Sequence, residues 1–367
     1  MRLALNNIHF AIIGCGRIAI RHIEAIQRSV HAKLAAVCDI NIELAREKAA
    51  LANVPYYQNY HDMLRGETTI DVVIILTPSG MHFKHAMDII KNYNKHIVIE
   101  KPFVLTLSHA AQLKAEADRH NVKIFPVYQN RFNKAVKRVK QALSELCELG
   151  KLRVGTVRLR WCRPQRYYDL SAWRGTWAMD GGAFTNQGIH YIDLLRYLCG
   201  EVKQVHAKLA TLGADIEVED TGVAIIEFKS GALGIIEIMT SARSDDFEAS
   251  VSCVCENGLA VLGGIATNHL QTFSPDPSQQ ALYSEEFPTP YGFGHNEFIQ
   301  GVVDTLQSGK TPLIGYDDGL QTLKLLHALY KSDEINGWVT VDDAGDSMRL
   351  GNPDPMLSEH YETRIPV

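Results

Sequence analysis

The sequence predicts two domains of different class. Residues 1–127 read as an α/β domain with a doubly wound parallel sheet, and residues 128–367 as an α+β domain with a large, mostly antiparallel, open-faced sheet. Three observations predict this. The chain has 367 residues, against the roughly 150 on which single domains centre. Up to Val127, short β-branched runs alternate with helical patterns, the order that builds a parallel sheet covered by helices. After Val127, longer runs of alternating polarity dominate, as expected of antiparallel strands with one covered face.

In the first domain the predicted strands are Ile8–Ile13, Lys33–Cys38, Asp71–Leu76, His96–Ile99 and Val122–Val127. Between them, Ile18–Val30, Ile42–Ala52, His82–Tyr93 and Ser108–His120 carry apolar residues at helical spacing; Ala86, Met87, Ile90 and Tyr93 fall on one face. In the second domain a helix over Asn133–Glu148 precedes predicted strands Val154–Trp161, Lys203–Leu212, Thr221–Phe228, Leu233–Met239, Glu248–Cys255 and Leu259–Leu262. Helical patterns cover Gly188–Leu198, His295–Ser308 and Asp318–Lys331. Thr267–Pro290, with its prolines and serines, is the most loop-like segment, and the tail after Val341 shows no periodicity.

Hydrophobic residues at 46% and charged residues at 22% are globular proportions and argue against a disordered, collagen-like or coiled-coil chain. A net charge of -5 offers no footprint for a polyanion, so nucleic acid is not expected as a partner. Seven cysteines, with no Cys-x-x-Cys pair and no His cluster at zinc-ligand spacing, predict a reducing cytoplasm and no metal. The run Ile8–Ile13 ends at Gly14, and no apolar stretch reaches the ~20 residues of a membrane span.

Gly14-Cys15-Gly16-Arg17-Ile18-Ala19 follows a predicted strand and opens a predicted helix, which is the context in which G-x-G-x-x-G/A cradles a dinucleotide. Gly14 permits the tight turn, Gly16 lets the backbone approach a pyrophosphate, and Ala19 keeps helix and sheet close. The helix N-terminus then faces the phosphate charge. Asp39 ends the second strand, where a carboxylate accepts from a ribose diol and repels a 2′-phosphate. NAD is therefore expected over NADP, the alternative reading being that Asp39 only caps the following helix.

Glu100-Lys101-Pro102 closes the strand His96–Ile99, at the sheet edge where such folds bind ligands, and Pro102 favours a fixed, cis-capable turn. With the phosphate loop, Thr77-Pro78 with His82, Gln129-Asn130-Arg131-Phe132-Asn133, Trp173-Arg174-Gly175, Asn186 with His190, and His295-Asn296-Glu297-Phe298, the chain resembles the Gfo/Idh/MocA sugar oxidoreductases over most of its length. The first domain is then a Rossmann domain holding NAD through Gly14, Gly16, Arg17, Ile18 and Asp39. By the same resemblance Thr77, Pro78 and His82 line the cofactor trough, Glu100 and Lys101 flank the nicotinamide ribose, Gln129 closes the site, and Trp173 and Arg174 reach toward the cofactor.

Oxidising a sugar hydroxyl requires hydride loss and removal of the hydroxyl proton by a base. Lys101 is the first candidate base and His190 the second. Asn186 and His190 lie four apart at the start of a predicted helix and so share a face, and Asp193 stands three after His190, where it would fix the imidazole tautomer. Many members of the family carry Asp where this chain has Asn186. Asparagine there resembles the branch that oxidises the 3-hydroxyl of UDP-N-acetylglucosaminuronate in bacterial surface-polysaccharide (O-antigen lipopolysaccharide) biosynthesis. The branch implies a UDP-sugar substrate, with 2-oxoglutarate regenerating the cofactor.

Arg160, Arg163 and Arg166, before Tyr167 and Tyr168, suit the uronate and diphosphate of such a substrate. Arg131 is the preferred second anionic contact, and Tyr168, Gln187 and His295 complete the expected substrate residues with Lys101, Arg163, Asn186 and His190. The alternatives are another sugar or inositol dehydrogenase, a 3-ketoreductase, and a non-catalytic NAD(H)-binding regulator. The predicted open sheet offers an apolar face for a second subunit, so a homodimer or homotetramer is expected.

Overall fold

A computed structural model describes residues 6–144 and 147–363. It divides into two compact units, one comprising the chain up to Val127, His295–Gly319 and the chain from Asp354 on, the other Tyr128–Gly294 and Leu320–Pro353. The chain leaves the first unit after Val127, and His295–Gly319 and the chain from Asp354 on belong with that unit rather than with the second.

The first unit is built on six parallel strands: β1 (Ile8–Ile13), β2 (Ala32–Cys38), β3 (Tyr56–Tyr57), β4 (Val72–Ile75), β5 (His96–Ile99) and β6 (Ile124–Pro126), ordered β3-β2-β1-β4-β5-β6. The strand order reverses between β1 and β4, and a crevice outside the carboxyl ends at that point is where doubly wound sheets bind nucleotides. Phe10, Ile12, Val73, Ile74, Ile97 and Val98 are fully buried, as continuous apolar runs covered on both faces must be. Two short elements, β3 and the helix Tyr60–Gly66, escape sequence reading because neither is long enough to show a period.

The second unit carries an eight-stranded sheet: β7 (Leu152–Arg160), β8 (Val202–Ala210), β9 (Thr221–Phe228), β10 (Leu233–Met239), β11 (Glu248–Cys255), β12 (Leu259–Gly263), β13 (His269–Phe273) and β14 (Val339–Thr340). Its order is β13-β12-β11-β7-β10-β9-β8-β14, antiparallel throughout except for the β7–β10 pair. The strand β13 lies inside the segment expected to be loop. On one face Ile226, Ile236, Ile238 and Val251 are buried, and the helix Ile189–Cys199 closes on β7 at Gly155, where a Cβ would meet Cys199 Sγ at 2.8 Å.

On the other face Val223, Ile225, Leu233 and Ile235 are each about half exposed. Arg160 belongs to that face too. Its guanidinium pairs with Glu237 (2.7 Å) and Glu248 (3.3 Å), so it stitches strands together and is withdrawn as a substrate contact. The expected helix Asn133–Glu148 is seen as Lys134–Ser144, with residues 145–146 outside the described ones. Among the described residues no helix is long and apolar enough to cross a membrane.

Candidate functional site

In the first unit, β1 leads directly into the glycine turn. Gly14 has φ +96°, and a Cβ there would lie 2.7 Å from the carbonyl carbon of Leu76, so only glycine lets the turn pass the end of β4. Gly16 has open space where its Cβ would stand, and the helix Ala19–Arg28 begins at Ile18 with no side-chain cap and no acidic residue in its first turn. Uncapped N–H groups beside an open glycine fit a pyrophosphate.

Asp39 Oδ2 accepts from Cys15 N (2.6 Å) and Oδ1 from Asn41 N (2.8 Å), so the carboxylate fastens the phosphate loop to the end of β2. The next helix is capped by Asn41, whose Oδ1 accepts from Glu43 N, which removes the capping alternative for Asp39. Gly14→Ala is expected to lower stability by about 1–3 kcal/mol through a disfavoured φ plus the backbone clash, and to abolish NADH binding. Thermal unfolding and an NADH fluorescence titration check both.

At the carboxyl end of β4, Thr77 Oγ1 shares a hydrogen bond with His85 Nδ1 (3.0 Å). His82 is 1% exposed, with Nδ1 2.8 Å from the Pro102 carbonyl oxygen and Nε2 2.9 Å from that of Thr77. Burial pushes its pKa down, against the two carbonyl contacts, which favour the charged form. The cofactor contact expected of His82 is therefore corrected: it ties the Thr77 loop to the Glu100-Lys101-Pro102 turn. The Lys101–Pro102 bond is cis. Lys101 is half-buried at the carboxyl end of β5.

Glu100, 8% exposed, accepts at Oε1 from His22 Nε2 (2.9 Å) and at Oε2 from Lys101 N (3.1 Å), while His295 Nε2 lies 3.6 Å from Oε1. Burial works to raise the carboxyl pKa, yet the two imidazoles outweigh it and hold it well below the usual range. Burial pushes His295 down. One expectation is corrected here: His295 is 2% exposed beside Glu100 in the first unit rather than facing substrate. The ligating atoms of His22, Glu100 and His295 lie within 4.8 Å of one another, but among the described residues neither Nδ1 has the acceptor that metal-bound imidazoles use, so the trio reads as a buried polar cluster in which His22 is hydrogen-bonded to Glu100.

In the second unit the candidate residues gather around Tyr167. Its hydroxyl accepts from Arg174 and from Gln187 Nε2 (3.2 Å), and the Arg174 guanidinium lies 4.4 Å from the Tyr167 ring and 4.5 Å from that of Trp173. Arg163 stacks on Trp161 (4.8 Å) and pairs with Asp246 (2.9 Å); Tyr168 is buried and shares a hydrogen bond with Thr240 (3.1 Å). Gln129 is 5% exposed in the turn Gln129–Phe132, and its Oε1 has no partner among the described residues.

Asn186 ends a short helix, Gly182–Asn186, and His190 belongs to the next, Ile189–Cys199, so the single helix expected for the two is corrected. Gln187 and Gly188 between them keep right-handed helical angles. Asn186 Nδ2 donates to Asp180 Oδ1, while Asp180 Oδ2 accepts from Gly175 N (2.8 Å). An aspartate at 186 would thus face a carboxylate 2% exposed. Asn186→Asp is expected to cost about 1–3 kcal/mol at pH 7, a loss recovered as pH falls and the pair takes up a proton. Urea denaturation at pH 7 and pH 5 measures it.

Arg131 is withdrawn as an anionic contact. It is 5% exposed and gripped by Asp193 through Nε (2.8 Å) and Nη2 (2.6 Å), and it lies 4.6 Å from the Tyr197 ring. Asp193 also accepts from Thr322 Oγ1 (2.7 Å). Reading residues in sequence missed Tyr167 as a hub, Asp180 as the partner of Asn186, and His22. The signal for His22 was present: it occupies the apolar stripe of its helix with Ala19, Ile23 and Ile26.

Two family models match the chain: an oxidoreductase family with an NAD-binding Rossmann fold (GFO_IDH_MocA) over residues 8–128, and the GFO/IDH/MocA C-terminal domain over 136–261. Among solved structures, the WlbA dehydrogenase from Bordetella pertussis in complex with NADH and UDP-GlcNAcA is 34% identical with TM-score 0.81, covering 91% of this chain and 99% of that one. The WlbA dehydrogenase from Chromobacterium violaceum, with the same two ligands, is also 34% identical, with TM-score 0.83, 93% of this chain and 99% of that one covered. The myo-inositol 2-dehydrogenase of Thermotoga maritima is 26% identical, with 92% of this chain and 99% of that one covered.

Proposed function

Because the chain belongs to the Gfo/Idh/MocA oxidoreductases, an NAD-binding family of sugar and polyol dehydrogenases, we propose that it oxidises the 3-hydroxyl of UDP-N-acetylglucosaminuronate to the ketone. The observation that carries this reading is its 34% identity, over nearly the whole of each chain, to two dehydrogenases crystallised with that nucleotide sugar. The Arg163, Tyr167 and Arg174 cluster supports it, since guanidinium and aromatic faces suit a uronate, a diphosphate and a uracil ring.

NAD, held by Gly14, Gly16, Arg17, Ile18 and Asp39 with Thr77 and Pro78, supplies the hydride acceptor. Lys101 takes the hydroxyl proton as hydride leaves the same carbon, and His190 is the second candidate for that role. Asn186 and Gln187 orient the sugar, and 2-oxoglutarate is the proposed oxidant that resets the cofactor. The seven unpaired cysteines suit a cytoplasmic enzyme.

The test is a rate of NADH formation with UDP-N-acetylglucosaminuronate and of NADH consumption with 2-oxoglutarate. UDP is expected to compete with the substrate. Turnover of myo-inositol, insensitive to UDP, would favour the second reading, which rests on the 26% identity to an inositol dehydrogenase. The half-exposed apolar residues of β9 and β10 are proposed to cover a second copy of the chain, making a homodimer or homotetramer. Light scattering at micromolar concentration should give a mass at least twice 40.9 kDa.

A further inference from the structure

We propose that His22 and His295 are positioning residues that hold Glu100, and through it the backbone of Lys101, in place for proton transfer. The inference rests on the reading that Lys101 acts in the reaction. Two links are hydrogen bonds, His22 Nε2 to Glu100 Oε1 at 2.9 Å and Lys101 N to Glu100 Oε2 at 3.1 Å, while His295 Nε2 faces the same Oε1 from 3.6 Å as an electrostatic contact. The two imidazoles meet edge to face with ring centroids 4.9 Å apart, so each limits the other's rotation.

What makes the network more than a buried polar patch is where its members originate. His22 lies on the helix Ala19–Arg28, which opens from the phosphate loop. One rigid element therefore meets the pyrophosphate at its start and grips the Lys101 turn at its first full turn. His295 stands at the start of the helix Gly294–Ser308. That helix is itself fastened to the end of the first, because Val30 N donates to Gln300 Oε1 (2.8 Å), and to the start of β1 through Gln307 Nε2 and the Asn6 carbonyl (2.8 Å). From the far side His82 holds the Pro102 carbonyl (2.8 Å). The residue between these anchors is Lys101.

A proton acceptor displaced by a fraction of an ångström loses rate without losing ligand affinity, which sets the test. His22→Leu and His295→Leu, two variants on different helices, remove the imidazoles and keep a similar apolar volume; His22→Gln keeps an N–H near the position of Nε2. With NAD-loaded protein and UDP-N-acetylglucosaminuronate, the leucine variants are expected to lose about 10–100-fold in kcat with KM and NADH affinity within about twofold. His22→Gln should restore most of the loss. Independently of substrate, competitive acetylation read by mass spectrometry should show Lys101 labelling about threefold faster or more in the leucine variants, because the turn is released.

Unchanged Lys101 labelling in both leucine variants, or a fall in NADH affinity as large as the fall in kcat, would overturn the proposal. Lys101→Ala run beside them separates the two claims. If that variant still turns over while labelling responds to His22→Leu, the base assignment fails and the positioning role stands.

Discussion

Lys101→Met is expected to lower kcat by about 10³-fold while NADH affinity stays within a few-fold of the unaltered protein, since a positioned base contributes roughly 10²–10⁴. Methionine keeps the stem and removes the ammonium, so the fit of the turn changes little. The phosphate loop, the Asp39 tie and the Thr77 loop are built from other residues, which is why binding should survive. A lysine titrates near ~10.4 in water, so turnover should rise with pH as the amine deprotonates, along a limb that disappears in the methionine variant. NADH binding by fluorescence and pre-steady-state NADH formation give the two readings separately. Retained turnover would transfer the base role to His190.

The sheet of the first unit was legible because its strands are short, β-branched and separated by strongly periodic helices. β1, β5 and the helices Ile42–Ala52 and His82–Tyr93 match their expected limits. The glycine turn was legible for a similar reason: its spacing is a backbone requirement written locally. Side-chain roles were harder, because they depend on partners far away in the chain. Arg131 and Asp193 are 62 residues apart and cancel one another's charge, so Arg131 does not remain available for the role that local context implied. His22, Glu100 and His295 show the same effect in reverse, since no spacing rule links positions that three separate elements bring together. Asn186 could be read as a departure from a family pattern, but its reason, the buried Asp180, required the fold.

Glu219→Gln is expected to flatten the pH dependence of stability between about pH 4.5 and pH 8. Glu219 is 3% exposed, and burial pushes its carboxyl from an ordinary 4.5 up to about 8, against the opposing hydrogen bonds from Phe184 N (3.0 Å) and the Tyr330 hydroxyl (2.8 Å) and the charge of Arg349. The folded protein therefore keeps a proton that the unfolded chain releases. Below pH 4.5 both states hold it and the folded state has its full advantage; as pH rises to 8 unfolding sheds a proton, so stability falls by up to about 1.4 kcal/mol per pH unit, then levels. Glutamine keeps the shape of the protonated acid and its acceptor oxygen but has nothing to titrate. In urea denaturation followed by tryptophan fluorescence, the variant should be no more stable than the unaltered protein at pH 5 and more stable at pH 8, by an amount on the order of a few kcal/mol. A difference between the two proteins that does not change with pH would show that Glu219 is ionised in the fold. The same carboxyl accepts from the Phe184 amide of the short helix ending at Asn186, a bond that favours the charged form and so limits how far burial raises the pKa.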